Sequence, residues 1–199
     1  MEVEKLFVPF EDQQNFINEV FKLKYRIMMF AGSIRAGKTW TCLAILIVLC
    51  KIYPKSRWYV IRRDLPSLKR TTIPTFSKIV PTSFVKSFNQ SEYIVTFKNG
   101  SQIGFLEENY ARDKDLNRLK GLEANGFFLN QAEELQEMTF NILISRSGQW
   151  KLPKMPPNLI LLDSNPTQNW VKKVFYDRFR AKKLPEHIYY KVADIFKVP

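Results

Sequence analysis

Gly32-Ser33-Ile34-Arg35-Ala36-Gly37-Lys38-Thr39 fits the pattern G-x-x-x-x-G-K-[ST] at every fixed position. Before it runs an apolar stretch, Tyr25 to Ala31, and after it Thr39 to Tyr53 is apolar on almost every face. The first reads as a buried strand that stops at a glycine. The second reads as a helix packed inside an α/β sandwich. Between them the octet is a turn whose two glycines let successive backbone N–H groups curl around phosphate oxygens, with the helix N-terminus adding partial positive charge. Lys38 would then reach the β- and γ-phosphates, and the Thr39 hydroxyl would ligate Mg²⁺. ATP with Mg²⁺ is the ligand this stretch predicts.

Working outward, residues 10–23 place Phe16, Ile17, Val20 and Phe21 at helical spacing, so an amphipathic helix opens the chain. Arg57 to Ile61 reads as a second strand, and Asp64 caps a helix through Ile79 that Pro81 ends. Asn99-Gly100 joins two β-prone runs, Tyr93 to Lys98 and Ser101 to Leu106, as a hairpin. Glu107 to Lys120 is charged and reads as a surface loop or short helix. Further strands are expected at Gly126 to Leu129, Leu159 to Leu162 and His187 to Val192, and further helices around Leu135 to Ile144 and Trp170 to Lys182. Buried strands alternating with helices predict an α/β fold: a mainly parallel sheet flanked by helices, with a local antiparallel hairpin.

Composition narrows the partners. The 199 residues carry 31 Lys+Arg against 19 Asp+Glu, a formal charge of +12, and 45% of them are hydrophobic, which rules out a disordered chain. The surplus points to something anionic: nucleic acid, nucleotide or an acidic membrane. The longest apolar run, Trp40 to Cys50, is too short to span a bilayer, and the acidic N-terminus lacks a signal-peptide layout, so an intracellular soluble protein is expected. Cys42 and Cys50 lie on one helix, beyond disulfide reach. Two basic clusters stand out, Lys51 to Arg70 and Lys172 to Lys183, each with a single acid among its charges. They are either solvated faces or contacts to DNA phosphates, which give affinity without reading sequence.

In an ATPase with such a loop, a second apolar strand usually ends in an acidic residue that serves Mg²⁺, often followed by a Glu that activates water. Here Gly126 to Leu129 is that strand, but Asn130 and Gln131 follow it, both amides. The Asn130 oxygen could still touch the metal. A Gln131 side chain cannot accept a proton from water, and general-base action is worth about 10²–10⁴ in rate, so ATP binding with poor hydrolysis is expected. The rival base is Glu133 or Glu134. A third reading has all four polar residues simply start a helix, the acids favouring its positive end.

Taken in order, these motifs resemble the ATPase domain of a tailed-phage large terminase, the motor that packages DNA into a procapsid. The resemblance covers most of the chain and implies a P-loop ATPase sheet of the additional-strand type. It makes Gln13 the adenine-binding Gln ahead of the first strand, and it implies nucleotide contacts from Gly32 through Thr39, Arg35 included, and from Thr41. Arg62-Arg63-Asp64 followed by a basic helix, and Lys120-Gly121, are also similar to family patterns. Asp163-Ser164-Asn165-Pro166 resembles the coupling motif, with Asn165 sensing the γ-phosphate. Asn130 keeps to family habit as the metal residue, while Gln131 departs from it at the catalytic Glu: a slow enzyme, or a Glu→Gln replacement that traps the bound nucleotide. Candidates for a finger acting in trans on a neighbouring subunit are Arg112 and Arg118, with Lys120 at the position before Gly121, and Arg118 is the one preferred.

The same resemblance implies ATP-driven translocation of double-stranded DNA, with the portal protein, a small terminase subunit and a homo-oligomeric ring as partners, in the host cytoplasm and with no membrane role. The chain is then one ATPase domain, residues 1–199, with a C-terminal nuclease domain expected in the full-length protein. Another nucleic-acid-dependent ATPase, helicase-like or for transposition, and a non-hydrolysing ATP-binding assembly module are the alternatives.

Overall fold

The loop sits where the sequence puts it: β1 (Ile27–Gly32) runs into it and α2 (Lys38–Ile52) leaves it. The computed structural model describes residues 7–193. Gly37, the N-cap of α2, adopts φ +67°, and a Cβ built there would lie 2.0 Å from Nε2 of Gln13. The turn therefore needs glycine for its backbone hand, and a side chain there would also push aside the tip of Gln13 on α1 (Glu11–Phe21).

Among the described residues eight strands form one sheet in the order β3-β4-β5-β2-β6-β7-β1-β8. Six of them run parallel: β5 (Gln102–Glu107), β2 (Arg57–Arg62), β6 (Gly126–Leu129), β7 (Leu159–Ser164), β1 and β8 (Ile188–Ala193). The decisive placement is β7, which enters between β1 and β6 and pairs with both. It separates the strand of the phosphate loop from the strand that ends in Asn130.

The Asn99-Gly100 hairpin forms as expected, with β4 (Ile94–Phe97) antiparallel to β5. The sequence reading missed β3 (Val85–Asn89), which adds antiparallel to β4. Four of its five residues are exposed, so it carries no buried alternation to reveal it.

Alternate residues of the parallel strands feed two cores. On one face Met28, Phe30, Trp58, Val60, Phe128 and Leu161 pack with α1, α2 and α4 (Ile73–Ile79). On the other, Ile27, Met29, Phe127, Leu129, Ile160 and Leu162 pack with α5 (Asn117–Lys120) and α6 (Glu137–Arg146). Burial on both faces explains the uninterrupted apolar runs of the sequence. Asp64 caps α3 (Leu65–Ser67) by accepting from the Ser67 N–H at 2.8 Å, and π-type turns over Leu68–Thr72 carry that helix into α4. The basic segment after Trp170 continues through π-type turns, Lys172–Tyr176, into α7 (Asp177–Arg180). Cys42 and Cys50 are buried and unpaired. No helix of the described residues is long and apolar enough to cross a membrane.

Candidate nucleotide-binding site

At the carboxyl ends of the parallel strands, where open α/β sheets place their ligands, a cleft of about 610 Å³ opens over the phosphate loop. Ile34 through Thr39 line it from the loop, Gln13 from α1, and Gln131, Asp163 and Asn165 from the ends of β6 and β7. Phe7, Val8, Phe10 and Trp40 make its other end apolar, a surface suited to a flat base. Gln13 is buried at that end. Its Oε1 accepts from the Phe10 N–H at 2.9 Å, and its Nε2 donates to the Ala36 carbonyl at 3.4 Å.

Lys38 folds back over its own loop. Its Nζ donates to the carbonyls of Gly32 (2.8 Å) and Ser33 (2.7 Å) and to Oδ1 of Asn165 (3.1 Å), so all three protons are engaged. Burial lowers its pKa, while the charges of Asp163 and Glu133 act the other way. A polyphosphate would exchange carbonyl dipoles for full negative charges around this ammonium, which favours occupation. Ile34 and Arg35 are exposed at the loop tip, and Ala36 is buried beneath it.

Two expected ligands are corrected by the geometry. Asn130 is fully buried, and its Oδ1 accepts from Thr72 Oγ1 (2.6 Å) and Arg62 Nη1 (3.1 Å). What it turns toward Thr39 and Asp163 is Nδ2, at 3.0–3.1 Å. Arg62 can only donate and an ionised Asp163 can only accept, so these partners fix the amide orientation. An NH₂ group cannot ligate a cation, and Asn130 positions its neighbours instead. Thr41 is buried, and its hydroxyl donates to the Gly37 carbonyl at 3.0 Å, a bond back into its own helix that leaves it outside the cleft.

The carboxylate missing from β6 is supplied by β7. Thr39 Oγ1 donates to Asp163 Oδ2 at 2.6 Å, and the Gln131 N–H donates to Asp163 Oδ1. Burial raises the Asp163 pKa. The bonds from Thr39, Gln131 and Asn130 and the charge of Lys38 oppose that rise. The sequence did hold a signal: Leu159-Ile160-Leu161-Leu162-Asp163 is itself an apolar strand ending in an acid.

Gln131 lies at the cleft in the left-handed region (φ +54°), an uncommon conformation for a residue with a side chain, and its Oε1 is buried with no hydrogen-bond partner among the described residues. Two residues on, Glu133 Oε1 accepts from Asn165 Nδ2 at 2.7 Å. Arg118 is exposed on α5 and is not among the residues lining the cleft.

Comparison with solved structures follows the same lines. The chain is similar to the large terminase from a thermophilic bacteriophage, with TM-score 0.71 and 16% identity over 95% of this chain and 47% of that one. The fold is that of a large-terminase ATPase domain. The Thermus phage P74-26 large terminase ATPase domain gives TM-score 0.61 at 10% identity over 89% of this chain and 79% of that one. A more distant branch of the same architecture is the Sulfolobus solfataricus SWI2/SNF2 ATPase core in complex with dsDNA, with TM-score 0.58 and 16% identity over 96% and 46% of the two chains. The first of these terminases is also known in complex with ATP-gamma-S, where it matches with TM-score 0.69. This chain spans about half the length of that terminase, 47%. No protein-family model matches the sequence, and a search of curated proteins finds no relative. At 10–16% identity these likenesses show the fold, and it is the fold that the ordered motifs led one to expect.

Proposed function

We propose that this chain is the ATP-hydrolysing motor of a viral genome-packaging machine and drives double-stranded DNA into a procapsid. One observation carries the reading: the phosphate-loop Lys38 bonds directly to Asn165, in the segment that resembles the terminase coupling motif. A change at the γ-phosphate would reach the end of β7, and through it the helical segment after Trp170, by one side-chain contact.

Mg²⁺ fits this site. Thr39 and Asp163 offer a hydroxyl and a carboxylate within hydrogen-bond distance of each other beside the loop. No cluster of three or more His, Cys, Asp or Glu among the described residues could hold a metal alone, so phosphate oxygens and water would complete its shell. Bound there, the cation would neutralise charge on the β- and γ-phosphates. Lys38 and the loop N–H groups hold the polyphosphate, and Gln13 with the apolar end of the cleft holds the base. Gln131 cannot take a proton, so a chain relying on it alone turns over slowly.

The exposed members of the basic clusters, among them Lys51, Lys69, Arg70, Lys173 and Arg178, are candidates for DNA phosphates. Arg62 and Arg57 are not: Arg62 is buried, and the Arg57 guanidinium stacks 3.6 Å from the Trp150 ring centroid. Portal protein, a small terminase subunit and neighbouring copies in a ring, with Arg118 reaching a neighbour's nucleotide, complete the proposal, together with a nuclease domain in the full-length protein and action in the host cytoplasm. The test is ATP turnover with and without double-stranded DNA, then with procapsids. Turnover stimulated by DNA and coupled to DNA protection inside procapsids is expected. Tight nucleotide binding indifferent to DNA would overturn the motor reading. The likeness to a SWI2/SNF2 core favours one second reading, a helicase-like ATPase, which would respond to DNA but not to procapsids.

A further inference from the structure

The sequence pattern reserves the position of Gln131 for the group that activates water, and an amide there cannot take a proton. Four other carboxylates lie at or near the ends of β5 and β6, and their surroundings separate them. Glu107 has both oxygens in use, Oε2 accepting from the Leu65 N–H at 2.9 Å and Oε1 from Asn109 Nδ2 at 3.1 Å. Glu108 is buried and tied to Thr139 Oγ1 and, at 2.8 Å, to the Gln136 N–H. Glu134 Oε2 stands 3.9 Å from both Arg62 and Arg63. Glu133 is different. Its Oε1 accepts from Asn165 Nδ2 at 2.7 Å, and the other end of the same amide accepts from Lys38 Nζ at 3.1 Å. Its Oε2 is shut off from solvent and has no hydrogen-bond partner among the described residues, which Glu134 Oε2 shares, so the link through Asn165 to Lys38 is what sets Glu133 apart.

Resting on the reading that this cleft hydrolyses ATP, we propose that Glu133 is the carboxylate that accepts the proton of the attacking water, in place of Gln131. The left-handed turn at Gln131 and the single 3₁₀ turn Ala132–Glu134 set Glu133 against the residues following β7. Asn169 Nδ2 donates to the Glu133 carbonyl at 2.7 Å and fixes that turn from the same side. Glu133 is not among the residues lining the cleft and is joined to it by Asn165, which lines it, touches the lysine of the phosphate loop and orients one oxygen of the carboxylate. The other oxygen has no partner among the described residues. A buried acceptor of this kind is costly unless something fills it, and a water positioned for attack would do so. Burial also raises the Glu133 pKa, against the bonds it accepts and with the nearby charge of Asp163, which moves a carboxylate toward the range where general bases work well.

In the step itself the water oxygen forms a bond to the γ-phosphorus as the bond from that phosphorus to the bridging oxygen breaks. The bridging oxygen keeps the electron pair and leaves as ADP. The water proton passes to Glu133 Oε2, from which it returns to phosphate or solvent.

The experiment compares wild type, Glu133→Gln and Gln131→Glu in the intact protein. ATP-gamma-S binding and single-turnover hydrolysis of radiolabelled ATP are measured on each, with melting temperatures as a folding control. A Gln at 133 can still accept from Asn165, so nucleotide affinity and melting temperature should hold while the hydrolysis rate falls by roughly 10²–10⁴-fold. A purely structural role would move affinity and melting instead. Hydrolysis at the wild-type rate by a folded, nucleotide-binding Glu133→Gln overturns the proposal. So does a wild type that binds but is silent until Gln131→Glu restores turnover. Failure of wild type to bind nucleotide at all would instead strike the reading of the cleft.

Discussion

Replacing Asp163 by Asn separates the metal from the nucleotide. Asp163 is 1% exposed, and both of its oxygens are used: Oδ2 accepts from Thr39 (2.6 Å) and Asn130 (3.0 Å), and Oδ1 accepts from Asn130 (3.1 Å) and the Gln131 N–H. An amide has one acceptor oxygen for these donors, and its NH₂ would face the NH₂ of Asn130. One buried donor is left unpaired, at about 1–3 kcal/mol, but a desolvated charge disappears as well, so the two effects offset and stability changes little. The cation feels a much larger change. Two unit charges about 4 Å apart interact by about 4 kcal/mol at an effective dielectric constant near 20. Allowing for partial replacement by the amide oxygen, the loss is about 2–4 kcal/mol, or roughly 30- to 1,000-fold in affinity. A fluorescent ATP analogue titrated in EDTA and then with increasing Mg²⁺ reads this directly. Binding in EDTA should be unchanged or tighter, because a negative charge beside the phosphates is gone. The gain on adding Mg²⁺ should vanish. A Mg²⁺-dependent gain of wild-type size in the folded variant would refute the assignment of the metal to Asp163.

Two further predictions concern the scaffold. A Cβ at Gly126 would stand 2.2 Å from the Leu159 carbonyl oxygen and 2.7 Å from the Trp58 ring, both deep in the sheet. Gly126→Ala should therefore cost about 1–3 kcal/mol or more in a urea melt, and a variant as stable as wild type would show that β6 and β7 can part without strain. Glu108 is raised in pKa chiefly by burial, against its bonds from Thr139 and Gln136 and the charge of Arg63. Its contribution to stability is full below the ordinary carboxylate value and is lost as pH rises through the raised folded value. Glu108→Gln should then gain on wild type as urea melts move from acid to mildly alkaline pH, and a constant difference across that window would contradict the burial argument.

Much of this molecule could be read along the chain because the signals are local. The phosphate loop needs only glycines, a lysine and a hydroxyl at fixed spacing between a strand and a helix, and all are consecutive in sequence. Asn99-Gly100 specifies its hairpin by turn geometry, and Asp64 its helix by a bond three residues away. Two local features still escaped the reading. The exposed β3 gave no pattern, and the Thr41 hydroxyl turned back into its own helix.

Above all, the order of strands is not written in any one segment. β7 enters between β1 and β6 because its apolar faces complete both cores there, and that brings Asp163 to Thr39 across 124 residues of chain. The same placement sets Asn165 between Lys38 and Glu133. The sequence by itself determined that a polyphosphate is held and by which loop. Only the packed sheet decided which carboxylates face it, because hydrogen-bond partners far apart in the chain are chosen by strand order, not by spacing.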